Sequence, residues 1–144
     1  QMCIRDSSNG VVRLNQDNSM TYTPDENYFG TDSFIYNVNV DGSSSTASVN
    51  IDIASVNDVP TFTDFVSTSS IDENTLVVLT VSVDDIENDP IGFSLSGSDA
   101  DKLSISTSGQ ITFNTNPDFE NPNDSNTDNQ YDISVEASDG TDSI

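Results

Sequence analysis

The stretch "SFIYNVNVDGSSSTASVNIDI", Ser33 to Ile53, decides the fold. Phe34, Tyr36, Val38 and Val40 take every second position, with mostly polar residues between them, and Ala47, Val49, Ile51 and Ile53 repeat the pattern. Successive side chains of a strand point to opposite faces, so this alternation predicts two strands, each with one buried face. The intervening "DGSSS", Asp41 to Ser45, has turn chemistry and joins them as a hairpin.

Working outward, "VVRL" and "SMTYT" flank "NQDNS" and predict a shorter pair upstream. Downstream, "NDVP" ends in Pro60, which lacks a backbone donor and biases the residue before it toward extended geometry. Residues 57–60 are therefore read as a linker between a first module, 8–56, and a second, 61–144. The second module predicts "LVVLTVSV" with Val77, Leu79, Val81 and Val83 inward, and "IGFSL" with Ile91, Phe93 and Leu95 inward. Short strands are expected near 103–105 and 111–113, and "YDISVEA" alternates at Tyr131, Ile133, Val135 and Ala137. No segment has the period of a crossover helix, so the fold class is all-β, a sandwich in two tandem modules. The first is expected to be partial, with about four strands, and the second to lack its last strand. "QMCIRDS", Gln1 to Ser7, lacks alternation and differs in composition from the Asp-, Asn-, Ser- and Thr-rich remainder of the chain. It is read as a non-native leader and left out of the fold.

The 144 residues carry 25 Asp and Glu against three Lys and Arg, a formal charge of -22. Such a chain repels itself, which calls for bound cations, high salt or both. It also repels nucleic acid and anionic membrane surfaces. With no His, a Ser-His-Asp triad, a Cys-His pair and a His-based zinc site are excluded. Cys3 has no partner for an internal disulfide, and no apolar run is long enough for a spanning helix.

The carboxylates gather at turns and strand ends: "IDENT" with Asp72 and Glu73, "VDDIEND" with Asp84, Asp85, Glu87 and Asp89, and Pro117–Gly140 with Asp118, Glu120, Asp124, Asp128 and Asp139. Calcium takes about 6 to 8 oxygens in irregular geometry, and loops of Asp, Asn and Glu suit that need. The alternating sets Asp85, Glu87, Asp89 and Asp124, Asn126, Asp128 turn side chains toward one centre where the loop curls. The latter partly matches an EF-hand loop, but Asn129 stands at the glycine position and Val135 at that of the bidentate Glu. Each loop alone also reads as a solvated turn, since Asp and Asn favour turns for local hydrogen bonding. Asp99 and Asp101 are read as plain turn residues.

Residues 71–140 resemble a bacterial cadherin-like repeat: "IDENT", "VSVDDIEND", "FSLSGSDADKLSIS", "SGQITFN", "PDFENPND" and "YDISVEASDG" come in that family's order and spacing. Residues 9–60 resemble the second half of a tandem repeat of large bacterial surface adhesins, of the kind in RTX-type extender regions. They carry "GTDSF", a "Y-x-V" strand, a "DG" turn and a final "VNDVP". The resemblance implies a Greek-key β-sandwich that binds calcium near the joints of successive repeats. Carried over by position, it implies Glu73 as the early acidic ligand, Asp85 and Glu87 as the D-x-D pair, and Asp118 and Glu120 as the mid-repeat pair. Asp139 is implied as the late ligand, and Asn57 and Asp58 as linker ligands; Asp89, Asp124, Asn126 and Asp128 are secondary candidates. Glu87 replaces the usual Asp and lengthens that ligand by a methylene. The first module has no clear counterpart of the mid-repeat pair, although Asp25, Glu26 and Asp32 lie in the corresponding region.

These readings converge on an expected function: a non-enzymatic, calcium-stabilised repeat that extends and stiffens a large extracellular or bacterial cell-surface protein, membrane-associated through its parent. Its partners would be calcium, neighbouring repeats, and surface glycans or proteins, homophilic or on host or biofilm. The alternative is a module that binds glycan or protein directly, with calcium structural. An exposed aromatic among Tyr22, Tyr28, Phe29, Tyr36 and Phe119 beside an acidic loop would favour it, whereas burial of all five in the core would oppose it. A glycosidase pair of Asp118 and Glu120 would need the two to face each other across a cleft.

Overall fold

The computed structural model describes residues 2–5, 7–64 and 66–144, without the side chains of 2–5 and of Val40. The chain divides into two compact units, Gln1–Val56 and Asn57–Ile144. Asn57–Pro60, read as a linker, falls with the second unit, where Pro60 is fully buried.

In the first unit, strands β1 (Met2–Arg5), β2 (Gly10–Leu14), β3 (Met20–Pro24), β4 (Gly30–Val40) and β5 (Ser43–Ile53) form two antiparallel sheets, β1-β4-β5 and β2-β3. The hairpin predicted from alternation is β4-β5, paired without interruption from Gly30↔Ile53 to Val40↔Ser43. Its turn is Asp41-Gly42, with φ of 47° and 83°. Two positive-φ residues match the twist of the flanking strands, which is why Asp-Gly suffices and Ser43–Ser45 join the strand rather than the turn. Phe34 is buried and Tyr36 and Val38 half-buried, whereas Ala47 is exposed; Val40's side chain lies outside the described residues. Met2–Arg5, excluded from the fold on composition, pairs with β4 from Met2↔Val38 to Arg5↔Ile35. Residues 8–56 hold the expected four strands, β2 to β5, and β1 adds a fifth among the described residues of the unit.

The second unit contains β6 (Thr61–Phe62), β7 (Val77–Thr80), β8 (Val83–Asp84), β9 (Gly92–Ser96), a 3-10 turn at Ala100–Lys102, β10 (Leu103–Ile105), β11 (Gln110–Phe113) and β12 (Ser134–Ser138). Its sheets are β10-β11-β7, β12-β9 and β6-β8. Val81, Leu103, Ile111 and Phe113 form the buried centre, against which Phe93 and Leu95 of β9 and Val135 of β12 pack from the facing sheet. This is the two-layer packing of a sandwich. Tyr131 and Ile133 also reach this core, Tyr131 edge-on to Phe113 at 4.7 Å, but they precede the strand that alternation had extended back to them.

Alternation fails at one place in β7. Ile111 pairs with Leu79 but Thr112 with Val77, so Val78 is an extra residue in the ladder. Such a bulge resets which side chains face inward. Val78 and Leu79 both pack on the core, and Val77, expected inward, is 47% exposed. Gly109 closes the turn between β10 and β11 at φ +77°, where a Cβ would stand 2.2 Å from the Val81 carbonyl oxygen. Only glycine fits that approach.

Ile111 is 1% exposed at the centre of the packing. Replacing it with Ala should cost about 2–5 kcal/mol by lost burial and a residual cavity, read by urea unfolding followed by circular dichroism. Val56→Ala, at a 79% exposed position, should change stability by less than about 0.5 kcal/mol. Equal effects of the two would contradict this core.

Candidate metal centre

Pairing of strands decides which loop carboxylates meet. β7 and β11 are antiparallel neighbours, and the Phe113 N–H donates to Leu76 O at 2.8 Å. The segment entering β7 must then lie beside the segment leaving β11. Asn74 N donates to Pro117 O at 2.9 Å and Phe119 N to Glu73 Oε2 at 3.2 Å. As a result Glu73, Asp118 and Glu120 offer one carboxylate oxygen each, all within 4.8 Å of one another. All three are exposed, and among the described residues theirs is the one carboxylate group with this spacing. Asp118 Oδ1 accepts the N–H groups of Glu120 and Asn121 at 3.1 and 3.2 Å, which holds the loop in a tight bend.

The same logic builds a second group. β6 and β8 pair as Thr61↔Asp84, so the residues before β6 lie beside those after β8. Asp58 N donates to Glu87 Oε2 at 3.0 Å. Asn57 Nδ2 stands 3.0 Å from both Asp139 Oδ2 and Asp142 Oδ2, a donor set between two carboxylates. Asp139 Oδ1 accepts Thr141 N at 2.6 Å and Asp142 N at 2.7 Å. These bonds, that from Asp142 foremost, hold its carboxyl below the ordinary Asp range. Asp85 Oδ1 accepts Asp89 N at 2.8 Å, and its Oδ2 is buried without a hydrogen-bond partner.

Seven of the eight residues implied as ligands thus fall into two sets, Glu73 with Asp118 and Glu120, and Asn57, Asp58, Glu87 and Asp139 linked by hydrogen bonds, while Asp85 accepts Asp89 N. Asp118 and Glu120 meet Glu73. Asp142 is a member that sequence reasoning missed, although its place in "SDGTDS" beside Asp139 was a usable signal. Both sets offer hard oxygen donors in irregular loops, and the Asp85 Oδ2 is an orphaned buried acceptor. That donor chemistry suits calcium, as it does other hard cations, better than zinc or copper.

Two other carboxylates are already satisfied by the protein. Asp99, read as a plain turn residue, is 1% exposed and accepts Ser125 N at 2.6 Å, Asp132 N at 2.9 Å and Ser98 Oγ at 3.1 Å. It clamps the excursion between β11 and β12 at its base, and the Asp132 N–H foremost, with that of Ser125, keeps it below the ordinary Asp range. In the first unit Asp32, 7% exposed, accepts the Tyr22 hydroxyl at 2.8 Å, Ser33 N at 2.8 Å and Asn9 N at 3.2 Å. Burial pushes its pKa up, but these donors outweigh burial and lower it. Burial, then Asp32, raises Tyr22 to about 12. Asp32 is therefore a structural tie with no free oxygen to offer as the missing mid-repeat ligand.

A carboxyl whose folded pKa lies below its unfolded value stabilises the fold above the unfolded value, near 3.8 for Asp99, and this stabilisation is lost as pH falls through the folded pKa. Asp99→Asn should therefore destabilise the second unit at pH 7 by urea unfolding, with the deficit shrinking as pH falls below about 4. A deficit that stayed constant to acid would contradict the ionised clamp.

Comparison with known proteins agrees with this architecture. Residues 3–54 match the family model described as Bacterial Ig domain, a span that takes in nearly all of β1. No curated protein matches the chain in sequence. Mouse cadherin-23 EC22-24, a crystal structure, aligns with 93% of the chain at 18% identity and a TM-score of 0.62. The chain spans about half of that structure's length, covering 46% of it. The chain's fold is similar to that of cadherin repeats, and its first unit carries the match to the bacterial Ig domain.

Proposed function

We propose that this chain is a calcium-stabilised structural repeat of a large bacterial cell-surface or secreted protein, whose task is to hold that protein extended and stiff. The observation that carries the reading is the convergence of Glu73, Asp118 and Glu120 within 4.8 Å. Three like charges so placed repel, and a hard divalent cation turns that repulsion into attraction. Bound ions then tie the loop before β7 to the loop after β11, and Asn57–Asp58 to the loops after β8 and β12. Binding energy becomes rigidity because an ion that binds the folded chain only stabilises it by mass action. The proposed role is mechanical, since three carboxylate oxygens within 4.8 Å of one another suit a shared ion. Neighbouring repeats of the same parent are the expected partners, at an extracellular location.

Isothermal titration of the chain with calcium tests the triplet. Glu73→Gln and Asp118→Asn should each weaken one site by roughly tenfold, about 1.4 kcal/mol. The double variant should lose less than the sum of the two, because the residues share an ion. Strict additivity, or unchanged binding in both single variants, would rule the triplet out as a shared site.

Phe119 supports a second reading, a module that binds glycan or protein directly. It is 66% exposed between Asp118 and Glu120, and an aromatic face beside a polar cluster suits stacking on a sugar ring or an apolar anchor. Under that reading Phe119→Ala abolishes retention on immobilised bacterial-surface glycans and leaves calcium affinity unchanged; unchanged retention rejects it.

A further inference from the structure

We propose a further cation site, separate from both groups above, in the excursion between β11 and β12, with Asp124, Asn126 and Asp128 as its side-chain ligands. It rests on the calcium reading for the identity of the ion. Asp124 is 5% exposed; its Oδ2 accepts Asp128 N at 2.8 Å, while its Oδ1 is buried with no hydrogen-bond partner. Buried polar atoms are almost always satisfied, and an ionised carboxylate oxygen is among the costliest to leave without a partner.

Asp99 shows that the neighbourhood is rich in donors. It is more deeply buried than Asp124, yet both its oxygens are taken, Oδ1 by Ser125 N and Oδ2 by Asp132 N. The Tyr131 hydroxyl donates to Asn123 Oδ1 and that of Thr127 to Asn126 O, both at 2.7 Å. The lysine of this unit, Lys102, is paired with Asp101 at 2.6 Å. Asp124 Oδ1 is thus an acceptor aimed at something other than the donors around it.

Its surroundings suit a hard cation. Asp128 N donates to Asp124 Oδ2 at 2.8 Å and to Asn126 Oδ1 at 3.2 Å, which brings the side chains of Asp124 and Asn126 together and leaves Asp124 Oδ1 beside them without a partner. Asn126 Nδ2 bonds Asp128 Oδ2 at 3.0 Å, bringing that carboxylate to the cluster. Two carboxylates and an amide oxygen, in a loop that Asp99 pins at Ser125 and Asp132, are hard oxygen ligands, and the Gln130 donors on Asp128 Oδ1 at 2.8 Å and Oδ2 at 3.4 Å would give way to the ion.

The test is an amide-resonance titration of the isotope-labelled full chain with calcium chloride at fixed ionic strength, for wild type, Asp124→Asn and Asp128→Asn. The exposed Asp128 variant keeps the test decisive if the buried one does not fold. Saturable shifts at 125–129, at least tenfold weaker in either variant, are expected while those at 58, 87 and 119 keep wild-type affinity. Saturable shifts at 58, 87 and 119 with none at 125–129 would overturn this site alone, leaving a water on Asp124 Oδ1. Shifts at neither place would overturn both this site and the calcium reading, and wild-type affinity at 125–129 in the variants would overturn these ligands.

Discussion

Carboxylates that have no cations to meet are the constraint on which this structure depends. With three basic residues against 25 acidic ones, a buried Asp is stabilised by backbone N–H groups. Asp32 gathers the loop before β2 and a β3 tyrosine onto β4. Asp99 gathers Ser125 and Asp132, both within the polar excursion between β11 and β12, onto the turn after β9. Hydrogen bonds to a charged acceptor are among the stronger ones, and each also fixes two backbone positions. The cores themselves are small: four buried side chains form the centre of the second unit. Loops that a larger apolar core would hold by packing are held here by charged anchors.

The remaining carboxylates are surplus, and antiparallel pairing decides where the surplus meets. Residues before one strand and after its partner share an end of the sheet whatever their distance in sequence. That is how Glu73 meets Asp118 and Glu120, and how Asp58 meets Glu87. The protein supplies N–H groups and an Asn57 amide to these groups, which orients the oxygens without cancelling their charge. The proposed role of calcium is to complete what the backbone leaves undone.

The strands with one buried face were legible because alternation is a local property, and β4, β9 and the second half of β5 obey it. Val77 and Val78 were not, because a bulge is a register event between two strands and leaves no mark in either one alone. The Asp41-Gly42 turn was overestimated because serines are acceptable both in turns and on the exposed face of a strand. Met2–Arg5 was set aside on composition, whereas its pairing with β4 is a long-range contact. The membership of the carboxylate groups came from a resemblance between families, and their division in two needed the strand pairing. Asp99 looked like any turn aspartate, since the partners that make it a clamp lie 26 and 33 residues away. Asp32 shares the alternating face of Phe34, a signal of burial that the sequence reading did not use.

The central claim is that divalent ions, and not general screening, complete this fold. The direct measurement is thermal unfolding of the 144-residue chain in calcium and in chelator, at equal ionic strength and with magnesium as a control. An ion at about 100 times its Kd stabilises by about 2.7 kcal/mol per site, so a calcium-specific rise in midpoint of roughly 10–20 °C is predicted for a unit of this size. An unchanged midpoint, or a rise that sodium chloride reproduces, would contradict it.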